Sequence, residues 1–184
     1  MIISTGSLKF KKVKSIKNTV LRPTSSKIRE AIFNILKHKL ELDKWKSDGY
    51  MLDAFAGTGI VSFEGLSRGI YHSTLVEKDL NIYNTLLENI KNLNIINNTN
   101  TINDNFFNLK SMPLKYKFVF LDPPYNSNLL NPAIELVTDI RLLEKKSLLV
   151  CETEKNFQIN TQFIKYIKYE KYYGKIKLLF LDFH

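Results

Sequence analysis

Asp122-Pro123-Pro124-Tyr125 follows Phe118-Val119-Phe120-Leu121, an unbroken apolar run of the kind shown by a parallel strand buried on both faces. Two consecutive prolines stiffen the backbone directly after that strand. They aim the Asp122 carboxylate and the neighbouring carbonyls at whatever lies above the strand end. Tyr125 adds a flat face for stacking. Held together, these parts can grip an aromatic ring and accept hydrogen bonds from an exocyclic amine. That equipment suits methylation of a nucleobase amine, with Asp122, Pro123, Pro124 and Tyr125 at the reacting end.

A second constellation lies upstream. Asp53-Ala54-Phe55-Ala56-Gly57-Thr58-Gly59 closes one predicted strand and opens a helix. Its small residues let backbone amides approach a ligand at the helix N-terminus. A Gly-x-Gly alone fits any tight strand-to-helix turn, but two neighbours sharpen it. Glu77 ends the next strand, eighteen residues after Gly59, where an acid binds both hydroxyls of a ribose. Asp104-Asn105 follows a third strand, where a carboxylate accepts from an adenine amine. A dinucleotide would favour a third glycine where Ser62 stands, and Asp53 would repel its phosphates. An acid at that point suits the ammonium of an amino acid instead. S-adenosylmethionine carries an ammonium, a ribose and an adenine without phosphate, and it fits all three acids.

The elements that must position these groups alternate. Strands are expected over 50–56, 73–77, 99–103, 117–121 and 147–152, with helices after the first, second and fourth of them, the last over 132–143. Two β-rich segments, 163–172 and 175–183, then meet at Tyr173-Gly174 as a hairpin. The fold class is therefore α/β: a Rossmann-like parallel sheet finished by an antiparallel hairpin, the pattern of class I methyltransferases. Before it come a short basic hairpin with a turn near Gly6 and a helix with an apolar stripe of Ile28, Ala31, Ile32, Ile35 and Leu36. Thr24, Ser25 or Ser26 would cap that helix. Residues 1–40 are expected to pack on a methyltransferase core, 41–184, rather than fold independently.

The net charge of +9 is unevenly placed. Residues 1–39 hold ten Lys/Arg against the single acid Glu30, and the remainder is balanced at seventeen each. Such asymmetry is the footprint of a polyanion, here nucleic acid. One cysteine, Cys151, excludes an internal disulfide framework, and the three scattered histidines suggest no metal cluster. No signal peptide or membrane span is read, so a cytoplasmic protein is expected.

The chain resembles the bacterial small-subunit ribosomal RNA guanine-N2 methyltransferases of the RsmD type. The resemblance rests on Leu21-Arg22-Pro23-Thr24 with Ile28-Arg29-Glu30-Ala31-Ile32-Phe33-Asn34-Ile35-Leu36, on Leu52 to Gly59, and on Leu66-Ser67-Arg68-Gly69, Val76-Glu77 and Phe120 to Tyr125. It implies S-adenosylmethionine as donor and a guanine of small-subunit (16S) ribosomal RNA as acceptor, within an assembling 30S particle; a monomer without metal is expected alongside. The cofactor set becomes Asp53, Phe55, Ala56, Gly57, Thr58, Gly59, Glu77, Lys78, Asp104 and Asn105. The RNA-facing set becomes Lys9, Lys11, Lys12, Arg22, Thr24, Lys27 and Arg29. Phe10 replaces the second glycine usual in the family's hairpin, and Ser26-Lys27 replaces its Asp-Arg. Two alternatives stay open. One is an amino-methyltransferase acting on another amine, such as adenine N6; the other is a non-catalytic RNA-binding assembly factor of the same fold.

Overall fold

The computed structural model describes residues 1–16, 24–40, 48–125 and 127–183. Helix α1 (Ser26–Leu40) precedes an alternating series: β1 (Tyr50–Asp53), α2 (Ile60–Ser67), β2 (His72–Val76), α3 (Leu80–Leu93), β3 (Thr99–Ile102) and β4 (Tyr116–Leu121). There follow α4 (Leu130–Asp139), β5 (Leu143–Glu154), the single turn α5 (Thr161–Ile164), β6 (Ile167–Tyr173) and β7 (Ile176–Leu181). The strands form one sheet in the order β3-β2-β1-β4-β5-β7-β6. Its first four pairings are parallel, and β7 pairs antiparallel with both β5 and β6. This is the class I methyltransferase arrangement expected from the sequence.

Alternation along each strand sends neighbours to opposite faces. Met51, Phe118, Phe120, Leu178 and Phe180 join a core with α1, α2, α3 and the N-terminal hairpin. Leu52, Val119, Leu121, Leu179 and Leu181 face α4 and Phe163 on the other side. Both faces are covered, which is why these strands read as apolar runs. The β6–β7 connection is the two-residue loop Gly174-Lys175 between the paired Tyr173 and Ile176, with a left-handed φ of 60° at its first position.

Ser25 caps α1, its hydroxyl accepting from the Ile28 amide at 3.3 Å. Three boundaries differ from the sequence reading. Helix α4 stops at Asp139 rather than 143 because Arg141 adopts a φ of 53°, which an α-helix cannot continue. Strand β5 begins at Leu143, yet a bulge shifts its register between Tyr116 and Phe118 of β4, with Lys146 at φ 59° inside it. Phe163 sits in a helical turn and is buried, so the strand expected there begins at Ile167.

The N-terminal hairpin is joined by the antiparallel bridge Ile2–Lys12 and lies against α2. What holds it is a buried charge cluster. Glu64 of α2 accepts from Arg29 Nε at 3.0 Å, from Ser4 N at 3.0 Å, and from Arg68. Arg29 also donates to the carbonyls of Thr24 at 2.7 Å and Ile2 at 3.0 Å. Burial pushes the Glu64 carboxyl up, but Arg68, Arg29 and Ser4 outweigh it and hold the group below its ordinary value.

Candidate active site

Strand order reverses at β1, so the carboxyl ends of β1 and β4 flank the crevice where doubly wound sheets bind ligands. Asp53 of β1 pairs with Phe120 of β4, two residues before Asp122. The Gly-rich turn and the Asp-Pro-Pro-Tyr segment, 69 residues apart from Asp53 to Asp122, therefore meet at adjoining strand ends.

On the first side, the Glu77 carboxylate bridges two segments. It accepts from Gly57 N at 2.9 Å and from Asp79 N at 2.8 Å. Burial raises the Glu77 carboxyl above its ordinary value, against the pull of those two amides. Gly59 adopts φ 89°, and a Cβ there would stand 2.3 Å from the Phe63 ring, so glycine is required on both counts. Over Gly57 the space is open, with no atom beyond its chain neighbours within 4 Å of a Cβ position. Thr58 and Ala56 are buried, and the Thr58 carbonyl accepts from Asn89 of α3 at 3.1 Å.

Asp53 is enclosed rather than open, at 1% exposure. Its Oδ2 accepts from Ser62 Oγ at 3.0 Å, and Ser62 Oγ is itself 2.9 Å from Ser73 Oγ. The sequence reading gave this carboxylate a direct partner in an ammonium. The structure corrects that: the carboxylate is closed off beneath the Gly-rich turn and takes its hydrogen bond from Ser62 of α2. Burial pushes its carboxyl up to about 7, with Ser62 opposing and Glu77 adding to the rise. The folded state thus keeps a proton that the unfolded chain, near 3.8, gives up. The cost of this buried charge sets in as pH rises from about 4 to 7, and is of the order of 4 kcal/mol above that range. Asp53→Asn is therefore expected to match the wild type near pH 4 and to exceed its stability by about 1–4 kcal/mol at pH 8. Denaturant melts at the two pH values measure this, and a difference independent of pH would refute it.

Asp104 is exposed after β3, accepting from Asn108 Nδ2 at 2.7 Å, while Asn105 Oδ1 accepts from Phe107 N at 3.2 Å. Two features here escaped the sequence reading. Asn103 donates to the Glu77 carbonyl at 2.8 Å, tying the ends of β2 and β3 together. Phe55, Phe106 and Phe107 form a ring cluster with centroids 5.7 to 6.2 Å apart, an aromatic wall beside Asp104. The Phe-Phe pair directly after Asp104-Asn105 was its available signal. Lys78 is exposed.

On the second side, Asp122 is half-buried and its Oδ2 lies 3.4 Å from Thr24 Oγ1, so the residue before α1 reaches the candidate catalytic carboxylate. Pro123 is buried and Pro124 exposed. The half-buried Tyr125 donates its hydroxyl to Glu152 Oε1 at 3.3 Å. Glu152, 2% exposed, was not among the sequence candidates. The register pairs Leu121 with Cys151, which sets Glu152 beside Asp122. Cys151 is buried, its thiol raised well above the ordinary value, and packs the core.

The basic arm divides. Arg22 lies outside the described residues. Arg29, expected to face RNA, is 4% exposed and committed to Glu64 and two carbonyls; this corrects its assignment. Lys27 is exposed, its ammonium 5.8 Å from the Tyr173 ring centroid. Lys9, Lys11 and Lys12 are exposed, but the hairpin turn packs on Ser67, at the far end of α2 from Gly59. That is roughly 12 Å along the helix at 1.5 Å per residue.

The chain matches the family described as "Conserved hypothetical protein 95" over residues 1–182. It is 36% identical over 163 residues to a "Ribosomal RNA small subunit methyltransferase D" of Buchnera aphidicola, covering 85% of this chain and 80% of the relative. The chain belongs to the ribosomal RNA small subunit methyltransferase D family. It is accordingly a methyltransferase. The structure of the putative methyltransferase yhhF from Escherichia coli superimposes with a TM-score of 0.81 at 28% identity, over 98% of this chain and 96% of that one. The fold extends to an RNA methyltransferase of Salinibacter ruber, crystallised with S-adenosyl-L-homocysteine, at TM-score 0.62 and 12% identity over 87% and 92% of the two chains.

Proposed function

We propose that this enzyme methylates the exocyclic N2 amine of a guanine in small-subunit ribosomal RNA, using S-adenosylmethionine. The observation that carries the reading is the junction of β1 and β4, where the Gly-rich turn held by Glu77 adjoins the Asp122 carboxylate, the two prolines and the Tyr125 ring. The donor set fits the cofactor, because carboxylates and carbonyls accept from hydroxyls and amines and the space over Gly57 is open. Glu77 would hold the ribose, Asp104 and the Phe55–Phe107 wall the adenine, and Asp53 would favour the ammonium. When bound, S-adenosylmethionine supplies an electrophilic methyl group on a sulfonium.

The protein's part is placement. The amine of a purine is a poor nucleophile because its lone pair is delocalised into the ring. An Asp122 carboxylate oxygen and a carbonyl near Pro123 would accept its two hydrogens, turn the nitrogen towards the crevice, and leave Asp122 placed to take the surplus proton. Most of the rate gain is then proximity and orientation. Tyr125, steadied by Glu152, would stack on an unpaired or flipped base. Tyr125→Ala is expected to lower kcat/KM about 5- to 100-fold through lost stacking, and Tyr125→Phe, which keeps the ring, about 10-fold or less. Equal losses in steady-state assays of the two variants would refute the stacking role.

The choice of guanine over adenine rests on the motif resemblance set out above, and the named relatives support a small-subunit ribosomal RNA substrate. In this reading the substrate is RNA in an assembling 30S particle, and the enzyme is a cytoplasmic monomer without metal. Mass mapping of ribosomal RNA from cells with and without the protein tests it. Loss of one N2-methylguanosine supports the proposal; loss of an N6-methyladenosine transfers the site to adenine, and an unchanged map refutes both.

A further inference from the structure

Phe10 is 74% exposed at the turn of the N-terminal hairpin. Its φ is 68°, a left-handed conformation that bulky residues rarely adopt. Its amide nevertheless donates to the Ile3 carbonyl at 2.9 Å, so the turn is ordered around it. Neither packing nor backbone preference accounts for phenylalanine there. A strained position held by an exposed aromatic side chain points to a contact made outside the chain.

The surroundings identify the class of partner. Lys9, Lys11 and Lys12 adjoin Phe10 in sequence and are exposed, and Lys9 Nζ lies over one face of the ring, 4.7 Å from its centroid. Lys12 also borders a groove of about 470 Å³ lined with Val13, Lys14, Asn89 and Asn92. An exposed aromatic ring on a turn that also carries exposed lysines is the arrangement that holds single-stranded nucleic acid, the free face stacking a base and the ammoniums tracking phosphates. Gly6 secures the position of this turn. A Cβ there would stand 1.7 Å from the Ser67 carbonyl, so the hairpin is pressed against α2 and presents Phe10 on a rigid support. The turn stands about one α2 length from the crevice.

We propose that Phe10, with Lys9, Lys11 and Lys12, is a second RNA contact that stacks one unpaired nucleotide remote from the methylated base. The inference rests on the RNA-substrate reading above. It calls for an RNA that is single-stranded at a point roughly a helix length from the reacting amine.

Fluorescence anisotropy of the full chain with a labelled 12-nucleotide single-stranded RNA, and with its duplex, tests this. Phe10→Gly is expected to weaken single-strand binding about 5- to 100-fold, to leave duplex binding within about two-fold, and to keep the salt slope unchanged because no charge is lost. Phe10→Trp is expected to bind at least as tightly as the wild type. Lys11→Gln, by contrast, should lower the salt slope by about one. Glycine suits the left-handed backbone, so Phe10→Gly should melt no lower than the wild type, which separates lost contact from lost fold. Wild-type affinity in Phe10→Gly overturns the stacking contact while leaving the methylation reading intact. A wild-type dimer that Phe10→Gly dissociates in sedimentation, with RNA affinity unchanged, also overturns it, in favour of self-association. Wild-type protein that binds neither RNA overturns this inference, whereas methyl incorporation into ribosomal particles reports on the RNA-substrate reading alone.

Discussion

Asp122→Ala is expected to lower methyl transfer by about three orders of magnitude while leaving S-adenosylmethionine affinity within about two-fold. The size follows from what the carboxylate would do. It orients a weak nucleophile and lies where the surplus proton goes, and contributions of this kind are worth about 10²- to 10⁴-fold. The selectivity follows from geometry: the Gly-rich turn follows β1, Glu77 follows β2 and Asp122 follows β4, so truncating Asp122 leaves the Glu77–Gly57 contact standing. Asp122→Asn keeps one acceptor oxygen but loses the negative charge, and is expected to fall about 10- to 100-fold. Single-turnover transfer of labelled methyl, beside calorimetric titration of the cofactor, separates the two effects. Unchanged turnover in Asp122→Ala would remove this residue from the chemistry, and parallel loss of cofactor binding would reassign it to the donor side.

Glu64→Ala is expected to cost about 3–5 kcal/mol of stability, the usual penalty for leaving buried charge without its partner. For a chain of this size that corresponds to a fall in Tm of roughly 6–20 °C. Glu64 is 0% exposed, and on one carboxylate it gathers Arg29, Arg68 and Ser4. Its removal strands the Arg29 guanidinium, which is 4% exposed, and releases the segments around Ile2, Ser4 and Thr24. Because Thr24 touches Asp122, activity should fall further than stability alone requires. The lowered carboxyl adds a pH signature. This stabilisation is complete above the unfolded value of 4.5 and is lost as pH falls below it, opposite in sign to the Asp53 effect. Differential scanning calorimetry of Glu64→Ala and Glu64→Gln measures the loss, and a Tm within 2 °C of the wild type would show that apolar packing alone holds the arm.

Arg29 is turned inwards by a partner that its own segment does not contain. In a segment with ten basic residues and one acid, each arginine reads as a surface charge. Its partner Glu64 stands 35 residues away on another helix, and nothing local to either residue announces the pair. Glu152 carries no signal in the sequence for a related reason. An acid at the end of a strand is unremarkable until the register of Leu121 with Cys151 brings it beside Asp122 and under the Tyr125 hydroxyl. The boundaries of α4 and β5 were missed because Arg141 and Lys146 adopt left-handed conformations that their residue types do not signal.

What the chain determined by itself is what depends on neighbours in sequence. The apolar run into Asp122-Pro123-Pro124-Tyr125, the glycines after Asp53, and the acids after β1, β2 and β3 are local codes, carried by backbone preference and strand periodicity. They named the chemistry and the fold class together. Tertiary structure decided which of these codes meet. The order β2-β1-β4-β5 sets Asp53 beside the strand of Asp122, encloses Asp53 against Ser62, and turns Arg29 inwards to Glu64. Those outcomes depend on burying both faces of one sheet at once. The energy of that packing is shared among residues distant in sequence, so no segment carries it alone.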